Sequence, residues 1–198
     1  RGRHPHGPDP QFMFDETLVR IAGALESAGI PYMIIGGQAV LLHGEPRLTR
    51  DIDITLGVNI DRLEILLDMT RRLSLKLLPE DVSAFVQKTM VLPAIEEESG
   101  IRVDFIFSFT PYESQAIQRA KKVRILDRDV RFASAEDLII HKVFAGRPRD
   151  IEDVRNVVKK NAILDIHYIE EWLKAFDDAA DSKNFLSTFR QIVDSSIH

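Results

Sequence analysis

Two short stretches decide the fold: residues 32–37, YMIIGG, and residues 51–56, DIDITL, with thirteen residues between them. The first is an apolar run too short for a helix, and the glycine pair that ends it predicts a buried strand followed by a tight turn. The second alternates polar and apolar side chains with a period of two, which predicts a strand with two distinct faces. Asp51 and Asp53 therefore leave the same face of that strand.

The sequence on either side of these strands predicts further helices and strands. Upstream, apolar residues at helical spacing predict a helix from Phe14 to Gly29. Downstream, residues 101–107, IRVDFIF, predict a strand that forms a hairpin with residues 90–95. The other predicted elements are a short helix at 38–43, helices near 60–73, 80–88 and 112–120, strands at 123–126 and 130–132 around a turn at 127–129, and four helices after Ser134.

This order of elements predicts an α+β fold, in which a mixed β-sheet is flanked by helices and followed by a C-terminal helical bundle. We expect a sheet domain over residues 13–133 and a helical region over residues 134–198. Residues 1–12 contain three prolines and show no periodicity, so we interpret them as an expression tag or linker.

The composition excludes several classes of protein. The chain has 198 residues, a formal net charge of −5 and no cysteine, which excludes a disulfide scaffold, a Cys-ligated zinc site and a thiol nucleophile. Cysteine-free chains are typical of a reducing compartment, so we expect the cytoplasm. No apolar run approaches the roughly 20 residues that span a bilayer, so no membrane partner is expected. In an acidic chain, contact with nucleic acid requires a local basic patch, and residues 119–124 and 147–149 are the candidates.

Carboxylates on the predicted strands indicate a metal site. Asp51 and Asp53 share one strand face, and Asp104 interrupts the apolar strand IRVDFIF. Two carboxylates side by side are unfavourable unless a cation neutralises them, and Mg²⁺, or Mn²⁺ in its place, prefers such hard oxygen ligands. If the two strands are neighbours, the three carboxylates are able to hold two metal ions that activate an attacking oxygen and stabilise a departing pyrophosphate.

The glycine pair between the first strand and the next helix suits a phosphate group. Gly36 and Gly37 let the backbone approach a ligand, and the start of the following helix offers free N–H groups. The alternative is a tight strand-to-helix turn without a binding role.

Taken together, Ile35-Gly36-Gly37, Asp51-Ile52-Asp53-Ile54 and the later strand with Asp104 resemble the nucleotidyltransferase superfamily, which has the DNA polymerase β-like fold. Residues 136–142, EDLIIHK, and 146–153, GRPRDIED, are similar to the AbiEii-type branch of abortive-infection and toxin–antitoxin systems. Where the superfamily often has Gly-Ser, this chain has Gly36-Gly37, so a serine hydroxyl contact to phosphate is missing. The resemblance implies an active site formed by Gly36, Gly37, Asp51, Asp53, Asp104, Lys142 and Asp150.

The residues themselves support some of these assignments and leave others open. Lys142 lies on the face of its predicted helix that packs inward, where it needs an anion such as a triphosphate or Asp104, unless its amine reaches solvent. Asp150 shares a face with the apolar residues of the next helix, but it is also a typical first-turn acid, and Asp153 competes with it. Arg47, Thr49 and Arg50 flank the metal strand and are candidates for nucleotide binding, with solvated loop residues as the alternative.

The sequence therefore predicts a magnesium-dependent nucleotidyltransferase that moves a nucleoside monophosphate from an NTP to an acceptor and releases pyrophosphate. Asp51, Asp53, Asp104 and Lys142 are the expected catalytic residues, and the resemblance implies that Asp104 is a metal ligand and the base for the acceptor hydroxyl. The expected acceptor is tRNA, another RNA or a protein hydroxyl, in a toxin–antitoxin or abortive-infection system with a cognate toxin or antitoxin. The alternatives are a regulatory antitoxin-like enzyme that modifies a partner protein and a catalytically silent nucleotide-binding module. His43 and His141 are expected to be structural or surface residues.

Overall fold

The computed structural model describes residues 9–44, 50–181 and 183–196. Within these ranges the strands form one mixed sheet of seven strands in the order β3-β4-β5-β2-β1-β7-β6. The strands are β1 (Tyr32–Ile35), β2 (Asp51–Leu56), β3 (Lys76–Leu77), β4 (Val91–Glu96), β5 (Ile101–Phe107), β6 (Lys121–Ile125) and β7 (Arg128–Phe132).

Helices cover the sheet and form the C-terminal part of the chain, which confirms the predicted α+β fold. The helices are α1 (Pro10–Ser27), α2 (Gly37–His43), a 3₁₀ turn (Ile60–Arg62), α3 (Leu63–Arg72), α4 (Val82–Thr89), α5 (Pro111–Arg119), α6 (Ala135–Ala145), α7 (Pro148–Lys160), α8 (Ile166–Ala179) and α9 (Phe185–Ser196). Within the described ranges, no helix combines the length and apolar character that crossing a membrane requires.

The centre of the sheet brings the predicted site strands together. Strand β2 pairs antiparallel with β1 and parallel with β5, so Ile35 lies opposite Asp53 on one side and Asp104 lies opposite Asp53 on the other. The apolar residues of β2 point away from these carboxylates, and Ile52 and Ile54 are fully buried. Strand alternation thus buries one face and leaves the acidic face at the surface of the sheet.

Three local predictions differ from the structure. Helix α1 begins at Pro10, earlier than the predicted Phe14, because the Asp9 side chain caps it by accepting a hydrogen bond from the Gln11 N–H at 3.1 Å. The turn predicted at 127–129 is wrong: Ile125 pairs with Arg128, which leaves a two-residue turn over 126–127. The short strand β3 was not predicted. The interpretation of residues 1–12 as a tag or linker stays a prediction.

A buried polar network joins α6 to α5 and α8. Asp137 of α6 is fully buried and accepts hydrogen bonds from Tyr112 Oη at 3.1 Å, Tyr168 Oη at 2.7 Å and Ser134 Oγ at 2.8 Å. These donors come from α5, from α8 and from the residue that caps α6, so one carboxylate connects three helices. The division of the chain at residue 134 into two domains stays a prediction.

Candidate active site

Asp51 and Asp53 lie on the same face of β2, as the alternation predicts. Asp51 is exposed, whereas Asp53 is half-buried. Burial, together with the nearby carboxylates of Asp104 and Asp51, raises the pKa of Asp53 to about 6, and the charges of Lys142 and Arg102 counteract this only in part. A carboxyl group whose charged form is disfavoured in this way is one that a bound cation would stabilise.

Asp104 is in register with Asp53 on the neighbouring strand, but its carboxylate is engaged elsewhere. Its Oδ1 accepts a hydrogen bond from Nε of Arg102 at 3.1 Å, and this ion pair lies at the surface. Within the described part of the chain, no three histidine, cysteine, aspartate or glutamate side chains are arranged to hold a metal ion. The assignment of Asp104 as a third metal ligand and as the base stays a prediction.

Gly36 is required by its backbone conformation and by its contact with Asp53. Its φ is +71°, a region that L side chains rarely adopt, and a Cβ added here would collide with Oδ2 of Asp53. The glycine thus lets the β1–α2 turn lie directly against the Asp53 carboxylate. Gly37 follows as the first residue of α2 and is buried.

Lys142 is buried in α6 and faces two carboxylates of α7. Its Nζ lies 3.1 Å from Oδ1 of Asp150 and 3.0 Å from Oδ2 of Asp153, whereas the sequence suggested Asp104 as a protein partner. Asp150 also accepts hydrogen bonds from the backbone N–H of Arg147 at 3.2 Å and from its Nε at 2.7 Å. Although burial acts to raise it, the hydrogen bonds from Arg147 and Lys142 hold the pKa of Asp150 below its usual range.

Most of these residues line one cavity of about 700 Å³, but Asp104 and Asp153 do not. The two carboxylates of β2 and the glycine turn line it together with four basic side chains, Arg50, Lys142, Arg147 and Arg149. Asp150 also lines it, so the structure brings together most of the residues expected from the sequence. Arg47 and Thr49 lie outside the described residues. A larger cavity of about 810 Å³ lies at the opposite end of β1, beside Tyr32, and does not include any of these residues.

His141, expected from the sequence to be a structural or surface residue, lies at this cavity. His141 lines the cavity, and its Nε2 is buried without a hydrogen-bond partner among the described residues. Burial lowers the pKa of the imidazole to about 4, so the ring is neutral at pH 7. His43 does not line the cavity, and its Nε2 lies 2.8 Å from the Ala133 carbonyl oxygen.

The mixed sheet, the glycine turn after β1 and the two carboxylates of β2 at one cavity are the features of a nucleotidyltransferase fold. A family described as "nucleotidyltransferase of unknown function" (DUF6036) matches residues 12–193. Because this match spans nearly the whole chain, the protein belongs to that family.

Solved structures agree with this fold. The antibiotic-resistance factor ANT(2'')-Ia is similar with a TM-score of 0.57 and 21% identity, over 83% of this chain and 91% of that one. The lincosamide antibiotic adenylyltransferase LnuA is similar with a TM-score of 0.51 and 19% identity, over 72% of this chain and 94% of that one. An antigenic nucleotidyltransferase-like protein from Paracoccidioides brasiliensis is similar with a TM-score of 0.52 and 16% identity, over 89% of this chain and 92% of that one. No curated protein sequence matches the chain. At these identities the similarity establishes the fold alone.

Proposed function

We propose that the protein is a metal-dependent nucleotidyltransferase that moves a nucleoside monophosphate from an NTP to an acceptor hydroxyl and releases pyrophosphate. The observation that carries the proposal is the packing of Gly36 against Asp53 at the floor of a cavity with basic walls. This arrangement places backbone next to a carboxylate that resists ionisation, in a cavity large enough for a nucleotide.

The charges of the cavity suit a metal-bound triphosphate better than a free metal cation or a free triphosphate. The acidic floor attracts a cation, and Arg50, Arg147 and Arg149 are exposed at the cavity wall, where guanidinium groups bind phosphate oxygens in pairs. A ligand that carries both a divalent cation and several phosphates satisfies both sets of charges. In this proposal Gly36 and Gly37 approach the phosphates, with Arg47 and Thr49 in the stretch between α2 and Arg50.

Asp51 and Asp53 fit a Mg²⁺ or Mn²⁺ ion, because both are hard oxygen donors on one strand face and the pKa of Asp53 is raised by burial and by the neighbouring carboxylates. These two residues would hold the cation, and Asp104 would join them once its carboxylate leaves Arg102. The bound ion would supply charge stabilisation for the phosphates and for the departing pyrophosphate. Asp104, opposite Asp53 in the register, would accept the proton of the acceptor hydroxyl.

Lys142 is proposed to contact the nucleotide phosphates, with Asp150 and Asp153 as the groups that position it. The two carboxylates hold its ammonium group at the cavity wall. The similarity of this segment to AbiEii-type proteins supports a role in a toxin–antitoxin or abortive-infection system, where the acceptor would be tRNA, another RNA or a protein.

A small-molecule acceptor is the second candidate. One structure with this fold, at a TM-score of 0.56 and 21% identity, is of ANT(2'')-Ia in complex with adenylyl-2''-tobramycin, a drug molecule that bears an adenylyl group. A regulatory module that binds nucleotide without transferring it is the third.

The test is transfer of label from each α-³²P-NTP with Mg²⁺ to total tRNA, to cell protein or to tobramycin. We expect label on one acceptor class, and its loss in Asp53→Asn, because that variant removes one of the two metal-binding carboxylates. The variant should remain folded, since it relieves repulsion with Asp104 and Asp51. Asp68→Asn is the matched control: this half-exposed carboxylate pairs with Arg72 on α3 and does not line the cavity, so transfer should be unchanged.

Transfer by Asp53→Asn at the wild-type rate would contradict the proposed site. If the wild type binds Mg·NTP and labels no acceptor, the transferase proposal is wrong and the protein is a nucleotide-binding module.

A further inference from the structure

The larger cavity, of about 810 Å³, takes no part in the proposed transfer and lies against a strongly basic segment of the chain. It is lined by the last turn of α1, the last turn of α5, the start of β1 and the β6–β7 hairpin. Residues 119–131 hold six lysines and arginines and two aspartates, so this segment carries +4 in a chain that carries −5 overall. The volume suits a small ligand, and the local charge favours an anionic one.

Two ion pairs account for part of the charge around this cavity. Arg128 lies 3.1 Å from Glu26, and its side chain and that of Glu26 are about half exposed. Arg124 lies 3.4 Å from Asp129, and this pair is also about half exposed. Exposed pairs of this kind are weak. Within the described part of the chain, the other lysine, arginine and aspartate of the lining form no ion pair, so positive charge is in excess.

The register of the hairpin places two basic residues of the lining opposite each other. Lys122 on β6 pairs with Arg131 on β7. The neighbouring pair of the same lining, Arg124 and Asp129, combines opposite charges. Like charges directly opposite on adjacent strands destabilise a sheet. An anion bound between Lys122 and Arg131 would remove this repulsion.

The guanidinium group of Arg131 is fixed in place and has a donor that lacks an acceptor. Its Nη2 donates to the carbonyl oxygen of Ile117 at 3.0 Å, at the end of α5. Its Nε is buried and has no hydrogen-bond partner among the described residues. Such unpartnered buried donors are rare in folded proteins, and a guanidinium group offers five N–H donors in one plane. Arg131 is thus a positioned cation that an oxygen-rich anion would satisfy.

The hydroxyl group of Tyr32 adds a second donor beside Arg131. Its oxygen accepts the backbone N–H of Arg131 at 3.2 Å, and Tyr32 lines the same cavity. Burial raises the pKa of Tyr32, so the hydroxyl keeps its proton at pH 7. With the oxygen already accepting, the proton is the part of the hydroxyl that can serve a ligand.

We propose that this cavity is a second ligand site, which binds a phosphate group through Arg131 and Lys122. Phosphate oxygens accept hydrogen bonds from a guanidinium group in pairs, and the exposed ammonium group of Lys122 adds charge at the opening. The phosphate belongs to a small molecule such as a mononucleotide or to the backbone of a nucleic acid. The site requires no divalent cation, because its ligand meets basic side chains directly.

The second site is separate from the candidate active site and does not depend on the proposed nucleotidyl transfer. Tyr32 lines one cavity and Ile35 lines the other, at opposite ends of β1. Three residues of a strand span about 10 Å. We therefore expect Asp53→Asn, which changes the active-site cavity, to leave phosphate binding at the second site unchanged.

The test follows backbone amide signals in ¹H–¹⁵N NMR spectra of the full chain in EDTA, with inorganic phosphate, AMP and a short single-stranded RNA as three separate probes. We expect saturable shifts at Gly29, Tyr32 and Arg131, and none at Gly36. Shifts with phosphate and AMP identify a small phosphorylated ligand, and shifts with RNA alone identify a nucleic-acid backbone. The absence of saturable shifts around Arg131 with all three probes would overturn the site.

The residue assignment is tested with the probe that binds. Arg131→Gln should raise the Kd about tenfold, which corresponds to about 1.4 kcal/mol for a hydrogen-bonded charge. Lys122→Gln should raise it about threefold, as expected for an exposed charge, and it tests the site even if Arg131→Gln does not fold. Lys88→Gln is the matched control, because Lys88 is exposed on α4 and lines neither cavity, so the Kd should not change.

An unchanged Kd in both Arg131→Gln and Lys122→Gln would overturn the proposal. A loss of binding in Asp53→Asn would also overturn it, since the probe would then occupy the active-site cavity. Failure of the proposed function looks different: the wild type would transfer no label, while the phosphate titration in EDTA would still decide whether the second site exists.

Discussion

Replacement of Gly36 by alanine tests the most specific feature of the cavity, the contact between the β1–α2 turn and Asp53. An added Cβ meets the Asp53 carboxylate oxygen in a forbidden contact and also lies 3.0 Å from its Cγ and 3.2 Å from its Cβ. The whole side chain of Asp53 must therefore move. The positive φ adds a second penalty that is independent of this contact.

The two penalties have different sizes and are separable. An L residue in the left-handed region loses about 1–2 kcal/mol relative to glycine. Displacing Asp53 from its rotamer adds roughly 0.5–1.5 kcal/mol. Gly100 is the matched control, because its φ of +73° is nearly that of Gly36, at +71°, and a Cβ added there has nothing within 4 Å. Gly100→Ala thus reports the backbone term alone.

Urea unfolding at 25 °C measures the free energy of unfolding of both variants, and transfer of α-labelled nucleotide measures function. We expect Gly36→Ala to be about 1 kcal/mol less stable than Gly100→Ala, for the rotamer reason given above. Transfer should fall roughly 100-fold in Gly36→Ala, since a displacement of about 1 Å in a reacting geometry has an effect of that order. Gly100→Ala should transfer at the wild-type rate. Equal stability and equal transfer in the two variants would refute the reasoning.

Two further predictions concern the buried polar groups of α6. Tyr168→Phe removes the hydroxyl that donates to the fully buried carboxylate of Asp137 at 2.7 Å, so the free energy of unfolding should fall by about 2 kcal/mol, with no effect on the Kd for Mg·NTP; a thermal melt that matches wild type would contradict this. Burial lowers the pKa of His141 to about 4 in the folded protein, with smaller effects from Glu113 and Lys142, whereas its pKa in the unfolded chain is 6.5. Between these two pH values the unfolded state binds more protons than the folded state, so the free energy of unfolding decreases as the pH falls from 6.5 to 4. Between pH 7 and pH 4 the wild type should lose about 3 kcal/mol more than His141→Gln in urea titrations, and parallel pH profiles would show that the imidazole is not buried in neutral form.

The sequence predicted an element correctly where its hydrophobic pattern and the residues that begin and end the element agree. Strand β2 alternates strictly, β1 is bounded by Pro31 and Gly36, and the helix α6 is bounded by Ser134 and Gly146, so each was predicted close to its observed place. Strand β3 was missed because two residues carry no periodic signal, and it exists through backbone pairing with Ile95 and Ala94. The β6–β7 turn was misplaced because Leu126 holds a positive φ that glycine or asparagine usually takes.

Some residues of the candidate site could be predicted from the sequence, and others are brought together only by the folded structure. Asp51 and Asp53 follow from the two-residue period of a strand, which requires no knowledge of the rest of the chain. The partners of Lys142 do not follow from a sequence period. Asp150 and Asp153 reach Lys142 only because of the turn at Gly146, and no periodicity in the sequence encodes the geometry of that turn. Tyr112 and His141 are 29 positions apart in the sequence, and only the packing of α5 against α6 brings their rings together.

The burial of Lys142 is better explained by nucleotide binding than by stability. Taking an ammonium group and two carboxylates out of water offsets most of their mutual attraction, and apolar residues of similar volume at such positions are often as stable or more stable. Leu138 and Val143 on the same helix show that α6 packs well with apolar side chains, since both are buried. Packing therefore does not require a lysine held by two carboxylates at a cavity wall. A polyphosphate that binds beside Arg147 would explain why a lysine is present there.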